Sequence, residues 1–104
     1  MASVRTLKKD IDQIMSFALS DCFYVLEYNT KINEKAIYDI AAEIVKAHRD
    51  LRIRAVHPDA KENPKQVKKF YQKLVSDMLK AADTALEKLS KEVKKAVETT
   101  EAEA

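Results

Sequence analysis

Apolar side chains recur every three or four residues along most of this chain. Val4, Leu7, Ile11, Ile14, Ala18, Cys22 and Val25 fall on one side of a helix over about residues 3–28, because 3.6 residues complete a turn. A second stripe of Ile37, Ile40, Ala41, Ile44, His48, Leu51 and Ala55 predicts a helix over about 34–56. The third, Val67, Tyr71, Leu74, Met78, Ala81, Ala82, Ala85, Leu89 and Val93, predicts one over about 64–97. It is opposed by a polar face that includes Lys69, Lys73, Asp83, Glu87 and Lys91, the amphipathic pattern of a helix with one buried side. No alternating segment is long enough for a strand.

The interruptions fit the same division. Asn29-Thr30-Lys31-Ile32-Asn33 is rich in turn formers, and Asn33 is suited to cap the second helix. Pro58 disfavours helical geometry at His57 and lacks an amide donor, so the second helix stops before it. Asn63-Pro64 reads as a cap followed by proline at the first helical position. Short connections between three such helices predict an all-α, up-down-up bundle. Residues 1–97 form the expected single domain, and 98–104, which lack a hydrophobic face, an expected frayed acidic tail.

Helix one carries more apolar surface than two neighbours require. Phe17, Tyr24 and Tyr28 form a stripe apart from the main face, while Phe23 and Leu26 spread the other way. An aromatic patch on a small protein is a candidate interface, so Phe17, Phe23, Tyr24 and Tyr28 are the expected self-association residues and a homodimer the expected assembly. Asp21 lies between the two stripes and is a candidate buried carboxylate, to be paired at the level of Lys80, Thr84 or Lys88. His48, in the middle of the second face, reads as a core or boundary histidine bonded to a neighbour.

Composition narrows the chemistry. With no glycine in 104 residues, the chain lacks the residue on which phosphate-binding loops, dinucleotide fingerprints and the nucleophile elbow depend. Ser20-Asp21-Cys22 are consecutive and point in different directions, so they cannot act together as nucleophile and base. His48 and His57 stand nine residues apart and would face opposite sides of a continuous helix, which is no metal-ligand spacing. No cofactor, metal or catalytic residue is expected. The single Cys22 cannot form an internal disulfide, and a cytoplasmic setting is the default. The apolar run at 14–28 contains Asp21 and Glu27 and reads as buried helix, with no membrane partner expected.

Net charge is only +2, yet between Lys46 and Lys73 nine basic residues stand against three acidic ones, a local excess of six. The end of the bundle holding the second connection is therefore expected to be basic and open to an acidic protein partner. Nucleic acid ranks lower, since no aromatic stacking platform accompanies the charge.

Two short motifs fall in this region. Arg52 and His57 have the R-x4-H spacing that resembles the catalytic pair of HEPN-type helical ribonucleases. His57-Pro58-Asp59, between a basic helix and the next, is similar to the signature of J-domain co-chaperones. Lys46-Ala47-His48-Arg49-Asp50-Leu51 resembles the Lys-Ala-Tyr-Arg-x-Leu stretch of that family, and Tyr71, Leu74 and Met78 approach its core spacing. The likeness covers residues 46–81 and implies stimulation of a heat-shock chaperone ATPase, with His57, Pro58 and Asp59 acting directly and Arg49, Arg52 and Arg54 steering. One extra residue between Leu51 and His57 rotates the basic side chains by about 100° relative to the tripeptide. The arrangement as a whole resembles small all-helical bacterial proteins, a likeness that implies a fold and no activity. The leading expectation is a non-enzymatic helical interaction protein.

Overall fold

A computed structural model of the chain describes residues 4–29, 31–56 and 64–103, with side chains described over 5–29, 31–56 and 64–98. Helix α1 spans Val4–Tyr28, α2 Glu34–Val56 and α3 Pro64–Glu103. They pack up-down-up, so α1 and α3 run parallel with α2 antiparallel to both.

The first connection is short because both helix ends are closed locally. The Asn29 amide and its Nδ2 both donate to the Val25 carbonyl at 3.1 Å, which satisfies a carbonyl left over at the end of α1. Asn33 caps α2 as expected, its Oδ1 accepting from the Ala36 amide at 3.2 Å. Ile32, in the turn itself, is buried and closes that end of the core. At the other end α3 begins at Pro64, as the missing donor of proline favours.

The core is wholly apolar among the described residues. Ile11, Met15 and Cys22 of α1 meet Ile37, Ile40, Ile44 and Leu51 of α2 and Leu74, Met78, Ala85 and Leu89 of α3. Two details depart from the periodicity reading. Met15 is fully buried while Ile14 is only partly so, which turns the α1 face by about one residue toward α2. Ala96 is also buried, so packing on α3 continues beyond Val93.

Helix α3 runs through Glu103, beyond the expected end near Val97. Glutamate and alanine are strong helix formers, and no glycine or proline follows to stop them. At about 1.5 Å per residue a helix of 40 residues measures about 60 Å. That accounts for the 62 Å long axis of the molecule, and α3 overhangs the shorter α1.

Candidate functional site

The two seams that α1 makes with its neighbours differ in kind. On the α2 side, Asp12 accepts from His48 Nε2 at 2.6 Å and from Arg52 Nη1 at 3.2 Å through both carboxylate oxygens. The three side chains are partly exposed and bridge α1 to α2 over the edge of the core. The His48 hydrogen bond, more than the nearby Arg52 charge, holds the Asp12 carboxyl below the ordinary range, against a smaller opposing effect of burial. His48 is thus the bonded boundary histidine the pattern predicts. Asp12 went unnoticed in the sequence because it lies off the apolar stripe, where a surface carboxylate carries no signal of its own.

The basic end is similarly tied into the fold. Arg54 Nη2 donates to Asp77 Oδ2 at 2.9 Å and its guanidinium stands 5.9 Å from the Phe70 ring centre. Tyr71 Oη donates to the Ala55 carbonyl at 3.2 Å; farther from that end along the α2–α3 seam, Lys88 Nζ donates to Glu43 Oε2 at 2.8 Å. Of the three arginines expected to form a free steering surface, Arg52 and Arg54 therefore serve internal pairs, because each lies on an edge of α2 next to another helix. Arg49 is exposed. His57, Pro58 and Asp59 lie outside the described residues, and so does the partner that Arg52 would need for R-x4-H chemistry.

Asp21 is exposed, which corrects the expectation of a buried carboxylate. That expectation required the Phe17, Tyr24 and Tyr28 stripe to be covered; it is not, so the carboxylate between the stripes stays in water. The side chains named as its partners behave accordingly, with Lys88 engaging Glu43 of α2 instead. Cys22, next to it, is buried. Burial first, and the Asp21 charge second, push its thiol up, which leaves it a packing residue and a poor nucleophile.

On the α3 side α1 presents the aromatics. Phe17 is 62% exposed, Tyr24 62% and Tyr28 64%, and the Tyr24 and Tyr28 rings contact each other with centres 4.5 Å apart. From Asp10 to Tyr28 the helix carries no lysine or arginine. Asp21, Tyr24 and Val25 share an open groove of about 550 Å³ with Leu86, Leu89, Ser90, Val93 and Lys94 of α3. Across it, Val75, Leu79 and Leu86 of α3 are exposed as well. The apolar surface therefore continues from one helix to the other. Phe23 is exposed too, but it sits about 100–120° round α1 from Phe17 and Tyr24, on the flank toward α2 and its exposed Tyr38 and Val45. The four aromatics expected to act together belong to two surfaces.

The α3 half of this surface was legible and missed. Val75, Leu79, Ala82, Leu86, Leu89 and Val93 alternate spacings of four and three, a heptad pattern that overlaps the core stripe and was absorbed into it.

A second groove, of about 340 Å³, opens between α2 and α3 over Met15, Ile44, Ala47, Ala81 and Ala85, with Glu43, Asp77, Lys80 and Thr84 at its rim. Asp77 and Glu43 are already paired there. No group of three or more His, Cys, Asp or Glu side chains that could hold a metal ion occurs among the described residues. Among those residues, too, no helix is long and apolar enough to cross a membrane.

No family model, curated protein or solved structure matches the chain. What its surfaces do must be argued from their geometry.

Proposed function

We propose that this is a non-enzymatic helical interaction protein that self-associates through the aromatic side of α1, leaving its basic end for an acidic partner. The observation that carries the reading is the exposed row of Phe17, Tyr24 and Tyr28 on a helix face that lacks basic residues from Asp10 to Tyr28. Interface centres are poor in charge and rich in aromatics. Each aromatic covered by a partner would contribute on the order of 2 kcal/mol. Contact between Tyr24 and Tyr28 reduces the ordering cost, since part of the ridge is already set.

Sedimentation at micromolar concentration tests this. The expected result is a dimer that Tyr24→Glu converts to monomer while helicity is retained; a clean wild-type monomer overturns the reading.

A J-domain-like role in stimulating a chaperone ATPase ranks second. In its favour, α2 ends at Val56 and the antiparallel α3 starts at Pro64, and the His57-Pro58-Asp59 tripeptide falls between those two bounds in the sequence. Against it, Arg52 and Arg54 are engaged with Asp12 and Asp77. A chaperone ATPase assay in which wild type stimulates and His57→Gln does not would place it first.

A further inference from the structure

Resting on that reading, we infer that the surface receiving the α1 aromatics is the outer seam of α3 in a second copy of this chain, the two protomers related by a two-fold axis parallel to the helices. Helix α3 carries two overlapping seams. Tyr71, Leu74, Met78 and Ala85 pack inward, whereas Val75, Leu79, Ala82, Leu86, Leu89 and Val93 repeat in alternate fours and threes over nearly three heptads. A helix with two such seams has neighbours on two sides. Within one chain the second seam is only half filled: Ala82 and Leu89 are buried, while Leu79 remains 49% and Leu86 38% exposed.

The aromatics of α1 fit what is missing. Phe17 and Tyr24 are spaced seven apart, as are Leu79 and Leu86, and Tyr28 extends the α1 row by one more turn. Their heights agree as well, because Tyr24 lines one groove with Leu86, Leu89 and Val93. As α1 and α3 run parallel, a half-turn about an axis along the bundle leaves every residue at its own height. It lays α1 of each protomer against α3 of the other, both seams closing at once in an isologous contact. A two-fold axis across the helices would instead lay α1 on α1 and α3 on α3, both antiparallel.

The size is right for a second copy. At the exposures observed, the three aromatics together with Val75, Leu79, Leu86 and Val97 leave on the order of 700 Å² of apolar side chain open per protomer. A standard-size interface takes about 800 Å² from each partner.

Two measurements test the arrangement. First, Leu86→Glu is expected to weaken the dimer by at least about tenfold, as does Tyr24→Glu, while Phe23→Glu on the other flank leaves it intact. Circular dichroism checks that all three remain helical. Second, Tyr24→Cys protomers are mixed with Leu86→Cys protomers and oxidised; buried Cys22 does not compete. Predominance of the mixed disulfide supports α1 on the partner's α3. Predominance of the Tyr24→Cys homodisulfide, or a Leu86→Glu protein that stays dimeric where Tyr24→Glu does not, overturns this arrangement and leaves self-association standing. A monomeric wild type removes both.

Discussion

Helix α1 is held differently on its two flanks. Toward α2, the carboxylate of Asp12 gathers His48 and Arg52 over a continuous apolar core. Toward α3, the edge of the core opens into a groove, and aromatic and aliphatic side chains stand in water on both banks. Where polar pairs bridge the seam its groups are already satisfied, and the apolar residues left exposed on that flank, Phe23, Tyr38 and Val45, line neither of the two grooves. The open seam has the opposite character. Desolvating it would gain apolar burial, and few charges would have to be stripped of water.

The largest effect that separates the two is the cost of truncating leucines on the two faces of α3. Leu74 is fully buried and Leu86 is not. Leu74→Ala should cost about 2–5 kcal/mol of unfolding free energy at any protein concentration, the range for emptying a core site. Leu86→Ala should cost under about 1 kcal/mol in the dilute monomer, since much of its area is exposed there. Its effect should grow with concentration as association contributes to stability. Urea titrations at two protein concentrations check both; equal and concentration-independent losses would mean that the α3 seam is closed in the monomer after all.

Next in size is the polar seal on the α2 side. Asp12→Asn removes the carboxylate charge that His48 and Arg52 share. The side chain is 42% exposed, so solvent screening limits the expected loss at neutral pH to roughly 0.5–1 kcal/mol. The sign with pH follows from the lowered carboxyl. Unfolded, the group titrates near its ordinary value of about 4; folded, it titrates below that. Its contribution is therefore fully present above the unfolded value and disappears as pH falls through the folded one. Urea midpoints for wild type and Asp12→Asn should differ at pH 7 and converge at strongly acid pH. A gap that persists in acid would assign the effect to lost packing.

The readability of the sequence divides along the same line as the two flanks. The three helices, the Asn33 cap and the start at Pro64 follow from local rules, periodicity and capping, that the fold obeys. Which apolar residues stay exposed depends instead on how far neighbouring helices wrap round one another. Periodicity assigns Leu89 to the core correctly, and the heptad through Leu86 shows a second apolar seam without saying which of its positions a neighbouring helix leaves open. Asp21 was misplaced for the same reason, since its burial presumed cover over Tyr24. Ion pairs such as Asp12 with His48 and Arg54 with Asp77 join residues distant along the chain, and nothing local marks the acidic member of either.

The smallest expected effect reads the electrostatic field of the open flank from inside the core. Cys22 is enclosed between the two seams, and its thiol is pushed up by burial and, to a smaller extent, by the negative charge of Asp21 on the exposed bank. Asp21→Asn removes the second cause and leaves the first. The native thiol should therefore react slightly faster with a small alkylating agent at mildly alkaline pH, because the thiolate is the nucleophile and its population rises as the opposing charge is removed. The rate should still lie well below that of the urea-unfolded chain, where burial is gone too. In the dimer inferred above, the partner's α3 covers Asp21 and reduces its screening by water, so the ratio between wild type and variant should widen with protein concentration. A ratio that is constant from dilute to concentrated protein would show that nothing docks over this flank.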